Sequence, residues 1–144
     1  MADDIPDAAT IRAFNDGIIA EFRANDGKVG GPFEGADLLL LTTTGAKTGQ
    51  PRLVVLTPLQ IDGKLIVVGS LAGADIDPAW VHNLRAQPRA RIEVGADCYD
   101  VVARELPPDE REATFPKVTA MEPTYAEYQA KTTRAIPLFE LQRV

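Results

Sequence analysis

Two basic residues lie within and just after a short glycine-rich turn, where they could bind a phosphate group. Lys47 lies within the turn, and Arg52 opens the segment that follows it. A guanidinium group can hold a phosphate through two hydrogen bonds, and free backbone N–H groups in a tight turn add further donors. The segment is not a Walker loop, because Ala46 precedes the lysine. The pattern predicts an anion site, with an exposed hairpin of solvated basic residues as the alternative.

Side chains that commonly carry catalysis are scarce. The chain has one histidine, His82, one cysteine, Cys98, and one serine, Ser70. A structural zinc site normally takes four His or Cys ligands, so we expect no metal site. The residues around Ser70 also do not form a Gly-x-Ser-x-Gly nucleophile elbow. If the protein is an enzyme, we expect a bound cofactor to carry the chemistry.

Composition narrows the class of protein. The 144 residues are 45% hydrophobic and carry a formal net charge of −6, which predicts one domain over 1–144 and argues against nucleic-acid binding. Residues 1–30 are expected to form an N-terminal helix and a connecting loop. No apolar run approaches the ~20 residues of a membrane span, and the acidic start is unlike a secretory signal. The lone Cys98 fits a reducing cytoplasm. The amphipathic first helix allows a peripheral membrane contact, although its acidic residues favour packing on the protein.

The order of predicted elements indicates an antiparallel, β-rich domain with helices. Strands are predicted over 36–44, 52–61, 64–70, 90–94, 99–105 and 136–141, and helices over 8–24, 78–86, 107–121 and 123–131. Gly45 and Gly49 are expected to adopt positive φ, Asp62 and Gly63 to form a hairpin turn, and Asp77 to cap the second helix. Short strands without repeating βαβ units favour a small closed or split barrel, with a lipocalin-like cup left open by the pattern.

Three motifs in register carry a family resemblance. They are Thr42-Thr43-Thr44-Gly45 through Gly49-Gln50-Pro51-Arg52, then Asp77-Pro78-Ala79-Trp80 with Asn83-Leu84, and finally 123–128 followed by Ile136-Pro137. Together they resemble the deazaflavin-dependent nitroreductase family over roughly residues 25–144. The resemblance implies an α+β fold, a six- to seven-stranded antiparallel split β-barrel like that of FMN-binding proteins, with peripheral helices. It also implies a reductase that uses reduced coenzyme F420, an 8-hydroxy-5-deazaflavin.

The resemblance assigns the anion site to the coenzyme. Lys47 and Arg52 would hold its phosphodiester, and the backbone of residues 70–73 would face its ring. The residues implied to bind the cofactor are Lys47, Thr48, Gly49, Pro51, Arg52, Ser70, Leu71, Ala72, Gly73, Pro78, Trp80 and Asn83. For Trp80 the alternative is packing in the core, and for Asn83 it is a structural hydrogen bond. Relatives often carry Lys-Gly where Leu71-Ala72 stand, so the site is less basic than usual.

A second set of residues would meet the substrate. Tyr125 and Tyr128 lie three apart on a predicted helix and so share a face, which could cover a flat substrate or simply pack on the barrel. Tyr125 is the candidate catalytic residue, as proton or hydrogen-bond donor, with solvent as the alternative proton source. Thr57 is the third implied substrate contact, in a position where relatives carry tyrosine.

The implied reaction is hydride transfer to an activated C=C bond, a quinone or a nitro compound. The activated alkenes include enones and coumarin-type lactones such as aflatoxins. A cytoplasmic dehydrogenase that regenerates reduced F420 would be an indirect partner. An FMN-dependent oxidoreductase, or a carrier of deazaflavin or an apolar ligand without enzymatic activity, are the alternatives.

Overall fold

The computed structural model describes residues 8–30 and 38–144 and, in the first helix, the side chains from Asp16 onward. The elements in chain order are α1 (Ala8–Ala24), β1 (Leu39–Thr44), β2 (Pro51–Leu56), β3 (Leu59–Ile61), β4 (Lys64–Val68), α2 (Ala79–Ala86), β5 (Arg89–Val94), β6 (Asp97–Glu105), α3 (Pro108–Met121), α4 (Thr124–Ala130) and β7 (Leu138–Arg143). A single 3₁₀ turn, Leu71–Gly73, follows β4. The predicted start of the first strand, at residue 36, lies outside the described residues.

All seven described strands form one antiparallel sheet in the order β2-β1-β5-β6-β7-β4-β3. Strands β2 and β3 therefore lie at opposite edges, yet only Thr57 and Pro58 separate them in the chain. Three peptide steps reach at most about 10 Å. The sheet must curl until its two edges approach each other, and this confirms the predicted split barrel.

The prediction of one strand over 52–61 is wrong. Pro58 has no N–H to donate to a ladder, and the chain changes partner there. Residues before it pair with β1, where Arg52 lies opposite Thr43, whereas Leu59 after it lies opposite Ile66 of β4. The predicted turn at Asp62-Gly63 is confirmed, with φ values of 53° and 78°. This is the pattern of a two-residue hairpin whose central residues are both left-handed.

Apolar side chains fill the curled sheet and attach the helices to it. Trp80, Val81 and Leu84 of α2 cover one end of the main core. In α1, Ile18 and Phe22 pack on Leu38 and Leu40, on the other side of the sheet. Helices α3 and α4 cover a third cluster around β3, β4 and β7. The sheet residues buried in the main core are Leu39, Leu41, Val67, Ala90, Ile92, Val101, Ala103, Phe139 and Leu141.

The first helix has one clear anchor and one clear end. Arg23 donates two hydrogen bonds to the Glu93 carboxylate of β5, at 3.0 and 2.8 Å. The helix stops as predicted at Asp26 and Gly27, which adopt φ of 54° and 91°. Over residues 8–30 and 38–144, none of the helices has the length and apolar content that crossing a bilayer would require.

Candidate functional site

Two adjoining clefts open between the β1–β2 turn, helix α2 and helix α4. The larger has a volume of about 700 Å³ and includes Lys47, Arg52 and Asn83 in its lining. The smaller has a volume of about 330 Å³ and includes Tyr125 and Tyr128. Both are lined by Val54, Leu71, Pro78 and Trp80. The clefts therefore form one elongated groove with a basic end and a tyrosine end.

The β1–β2 turn that forms the basic end is held by its own backbone. The N–H of Gly45 donates to the Gln50 carbonyl at 2.8 Å, and the N–H of Gly49 donates to the Gly45 carbonyl at 2.9 Å. Gly49 has the predicted positive φ, at 70°, but Gly45 does not. Position 45 requires glycine for space instead, because a Cβ there would lie 2.7 Å from Thr48 Oγ1. The turn was predicted correctly, but the reason for its first glycine was not.

Asn83 of α2 ties this turn to the sheet. Its Oδ1 accepts from the N–H of Ala46 at 2.9 Å, and its Nδ2 donates to Thr43 Oγ1 at 3.0 Å. Both Asn83 and Thr43 are buried. Buried polar side chains are rarely left without partners, and this amide uses both ends of its dipole. Asn83 therefore makes structural hydrogen bonds, as one of the two interpretations from sequence predicts, and it also lines the larger cleft.

The cations at the basic end are available to a ligand. Lys47 and Arg52 are both exposed, both line the larger cleft, and neither forms an ion pair within the described part of the chain. His82 lies on the same cleft and is exposed as well. Pro78, which precedes α2, and the first two residues of that helix, Ala79 and Trp80, also line this cleft, so the positive end of a helix dipole adds to the basic charge.

Where the two clefts meet, the loop after β4 has an unusual backbone. Leu71, Ala72 and Gly73 have φ values of 43°, 54° and 84°. Positive φ is uncommon for residues with a Cβ, and two such residues in succession need support from their surroundings. Gly73 is buried against α4, where an added Cβ would lie 2.8 Å from the Tyr128 carbonyl oxygen.

The support for this loop is Arg134, a residue that the sequence analysis did not identify. Its guanidinium donates to the carbonyls of Ala74 at 2.8 Å, Ser70 at 2.9 Å and Gly69 at 3.2 Å. It also donates to Asp77 Oδ1 at 2.8 Å. Asp77 is thus engaged by its side chain rather than capping α2, whose first flanking residue is Pro78 and which has no side-chain cap. The predicted N-cap role of Asp77 is therefore wrong.

Trp80 belongs to the core and to the groove at once. The residue is 6% exposed, and its ring meets Phe139 edge-on with centroids 5.7 Å apart. The remaining surface of Trp80 lines both clefts. This packing fixes the ring, so the residue offers a rigid apolar wall at the point where the clefts join.

The tyrosine end is formed by α4, as predicted. Tyr125 and Tyr128 contact each other edge-on with centroids 6.0 Å apart, and both are half-buried against the cluster beneath α3 and α4. Burial is the main cause that raises the pKa of the Tyr125 phenol, with smaller contributions from Glu122 and Tyr128. At neutral pH the phenol is therefore protonated and able to donate a hydrogen bond.

The groove contains most of the residues proposed from sequence. The larger cleft takes Lys47, Thr48, Arg52 and Asn83, the smaller takes Thr57, Ser70, Ala72, Tyr125 and Tyr128, and the two share Leu71, Pro78 and Trp80. Three predicted cofactor residues line neither cleft. Gly49 and Pro51 face a separate depression beside β5, and Gly73 is turned toward α4. Leu53 and Val54 of β2 line the groove but were not singled out from sequence.

The lining suits a flat, mostly apolar molecule that carries a phosphate at one end. Leu53, Val54, Leu71, Pro78 and Trp80 supply apolar walls, and the charged groups lie together at the other end. The N–H groups of Ser70, Leu71 and Ala72 find no backbone or side-chain acceptor in the described part of the chain. A deazaflavin with its phosphodiester fits this distribution of donors, charge and apolar surface. Over residues 8–30 and 38–144, no group of three His, Cys, Asp or Glu residues could hold a metal ion.

Comparisons with known proteins point to one family. The family model for "F420H(2)-dependent quinone reductase" matches residues 17–142. The "F420H(2)-dependent quinone reductase Rv1261c" of Mycobacterium tuberculosis is 36% identical over 128 residues, covering 86% of each chain. A second protein of that organism, "Putative F420H(2)-dependent quinone reductase Rv3178", is 30% identical over 104 residues, covering 72% of this chain and 87% of its own.

Solved structures agree with this family and with the fold. The structure described as an "F420-H2 Dependent Reductase (FDR-A)" superposes with a TM-score of 0.64 at 40% identity, over 73% of this chain and 93% of its own. A putative pyridoxamine 5′-phosphate oxidase from Listeria innocua, at 12% identity and a TM-score of 0.51, shares the fold alone. The predicted enzyme class and coenzyme are those of the matched family, and the chain belongs to the F420H(2)-dependent quinone reductase family.

Proposed function

We propose that this protein is a reductase that binds reduced F420 along the groove and reduces flat, electron-poor carbonyl compounds at the tyrosine end. Quinones, enones and coumarin-type lactones are the proposed substrates. The continuity of the two clefts, which share Val54, Leu71, Pro78 and Trp80, is the observation that carries this proposal. It lets a coenzyme anchored at the basic end extend its ring to a position beside the tyrosines.

The chain's own groups have distinct tasks in this proposal. Lys47 and Arg52 bind the phosphodiester through charge-assisted hydrogen bonds. The N–H groups of Ser70, Leu71 and Ala72 bind polar atoms of the ring system. Trp80 and Val54 exclude water from the face at which the substrate stacks.

The chemical step depends on the coenzyme. When bound, the reduced deazaflavin supplies a hydride from its C5 to an electron-poor carbon of the substrate. The protein's part is to orient the substrate and to stabilise negative charge on its oxygen as the hydride arrives. The Tyr125 phenol, whose pKa is raised by burial, is protonated at neutral pH and is the proposed donor to that oxygen. Thr57 and Tyr128, which line the same cleft, complete the proposed substrate contacts.

A turnover assay tests the proposal directly. The protein, reduced F420 and a quinone or cyclic enone are mixed, and the visible absorbance of oxidised F420 is followed. We expect the protein to accelerate the return of that absorbance and to bind FMN much more weakly than F420. Tight stoichiometric FMN binding without a response to F420 would contradict the proposal, and F420 binding without turnover would indicate a carrier.

A further inference from the structure

The loop between β4 and α2 is held from behind by a single side chain. Arg134 lies between α4 and β7 and lines neither cleft. Its side chain is only 16% exposed. Four of its hydrogen bonds reach the segment 69–77, three of them to backbone carbonyls. Because three of these bonds end on backbone carbonyls, they depend on the backbone conformation of the loop and not on its side chains.

The orientation of those carbonyls determines where the loop's N–H groups point. In a trans peptide the C=O and the following N–H point in opposite directions. Because the carbonyls of Gly69 and Ser70 point to Arg134, the N–H groups of Ser70 and Leu71 point away from it. Ser70 and Leu71 line the groove, whereas Arg134 does not. Arg134 therefore determines which donors the groove presents.

We propose that Arg134 is a positioning residue, which holds the segment 69–74 around its left-handed residues Leu71 to Gly73 so that the N–H groups of Ser70 and Leu71 face the coenzyme. The inference rests on the proposed function for the identity of that ligand. The need for such a clamp follows from the backbone, since Leu71 and Ala72 both have positive φ although they carry a Cβ. A glycine would adopt that conformation without steric cost.

The clamp is itself anchored on the far side. Asp77 Oδ1 accepts from Arg134, and Asp77 Oδ2 accepts from Arg85 of α2 at 2.8 Å. Arg85 also donates two hydrogen bonds to Glu105 of β6, each at 2.8 Å. These ion pairs connect the loop to α2, whose first residues line the larger cleft, and to β6 of the sheet. A shift of Arg134 would therefore be opposed by groups on two further elements.

Hydrogen exchange measures the clamp without any ligand. The amides of Gly73 and Ala74 donate within the loop, to the carbonyls of Ser70 at 2.9 Å and Leu71 at 3.1 Å. In Arg134→Gln these two amides should exchange roughly tenfold faster or more, because the loop opens more often. The matched control is Arg104→Gln, which removes an arginine of β6 that pairs with Glu110 of α3 and Glu140 of β7 and should leave the exchange of both amides unchanged.

Titration of oxidised F420, followed by its fluorescence, then measures the consequence for binding. Arg134→Gln should bind roughly ten- to hundredfold more weakly than the parent, and Arg104→Gln should bind as the parent does. Adding Ala72→Gly to Arg134→Gln should recover part of the affinity, because glycine favours the left-handed path unaided. Arg134→Lys, which keeps the charge but not the planar fork, should be intermediate and serves if the glutamine variant does not fold.

The outcomes separate this inference from the proposed function. Unchanged exchange at Gly73 and Ala74 in folded Arg134→Gln would overturn the inference, and so would faster exchange with parental F420 affinity. A parent that binds no F420 would overturn the proposed function and with it the role toward the coenzyme. Because the exchange experiment uses the ligand-free protein, it shows whether Arg134 holds the loop even if the parent binds no F420.

Discussion

The side-chain oxygen of Asn83 accepts a hydrogen bond from the backbone N–H of Ala46 at 2.9 Å, and this contact fastens helix α2 to the basic turn. The other end of the amide donates to the buried Thr43 hydroxyl at 3.0 Å. Asn83→Leu removes both bonds and should lower the free energy of unfolding by about 1–3 kcal/mol. Denaturant unfolding would measure this loss, and F420 titration should show weaker binding by the same variant.

Asn83→Asp provides the informative comparison. The carboxylate can still accept from the Ala46 N–H, and the Thr43 hydroxyl, which accepts from Asn83 Nδ2 in the parent, can turn from the Arg52 carbonyl to donate to it. Stability should still fall, because the new charge is placed at a buried position. A negative charge now faces the proposed phosphodiester, so F420 affinity should fall more, by roughly tenfold. Equal losses of F420 affinity in the two variants would contradict the assignment of an anion to this end of the groove.

Arg52→Ala and Lys47→Ala should each weaken F420 binding. Each change removes a charge-assisted hydrogen bond worth about 1.5–3 kcal/mol, so the dissociation constant should rise roughly ten- to hundredfold. Arg89→Ala is the matched control, since Arg89 is exposed on β5 and lines neither cleft. Parental affinity in both cleft variants would mean that the turn is only a solvated hairpin.

Tyr125→Phe separates the hydroxyl from the ring. As a proton or hydrogen-bond donor, the hydroxyl should matter to turnover and little to coenzyme affinity, with kcat lowered roughly ten- to hundredfold. Tyr99→Phe, a change on β6 against Arg143, should behave as the parent. Normal turnover in Tyr125→Phe but not in Tyr125→Ala would show that solvent donates the proton and that the tyrosine ring serves only to shape the cleft.

The state of the Tyr125 phenol also predicts a pH effect. Burial raises its pKa above the ordinary value of 10.0. The native state keeps this proton at pH values where the unfolded chain has released it, so the resulting stabilisation is present below pH about 10 and is lost as pH rises through the native pKa. Ultraviolet titration of the native protein should show a late tyrosine ionisation that disappears in Tyr125→Phe.

Gly73→Ala tests the packing of the loop on α4. The new Cβ would lie 2.8 Å from the Tyr128 carbonyl oxygen, at a φ of 84° that already disfavours alanine. Gly63→Ala is the matched control, because it has a φ of 78° but no atom within 4 Å of the new Cβ. We expect the control to cost about 1 kcal/mol and Gly73→Ala to cost more, by thermal unfolding. Similar losses of stability in the two variants would show that α4 can move away from the added methyl group without cost.

Much of the fold could be predicted because its local signals and its tertiary structure agree. Strand β1, the turn at Asp62-Gly63 and the helices that begin near Pro78 and Pro108 all appear within a few residues of their predicted bounds. The break at Pro58 was missed because the apolar pattern continues across it, and only the pairing partners change. The glycine at position 45 was interpreted as a residue of positive φ, whereas the structure shows that the nearby Thr48 hydroxyl leaves little space for a Cβ there.

The least predictable part of the site is its support. Lys47, Arg52 and the two tyrosines belong to motifs. Arg134 instead binds backbone carbonyls, and since every residue has one, the residue types at 69, 70 and 74 do not indicate this contact. Asp77 was assigned to the nearest helix because capping is a local rule. Its actual partners, Arg85 and Arg134, lie 8 and 57 residues away in the chain.

The position of β2 at the edge of the curled sheet has a consequence for solubility. Leu53, Val54, Val55 and Leu56 form an apolar strand that pairs with β1 on one side and has no strand partner on the other in the described part of the chain. An open apolar edge of this kind promotes association between copies. The proposed ligands would lie along the same edge, since β2 lines both clefts. We therefore expect F420 to act on the protein as a protectant during storage and heating, which light scattering with and without the coenzyme would measure.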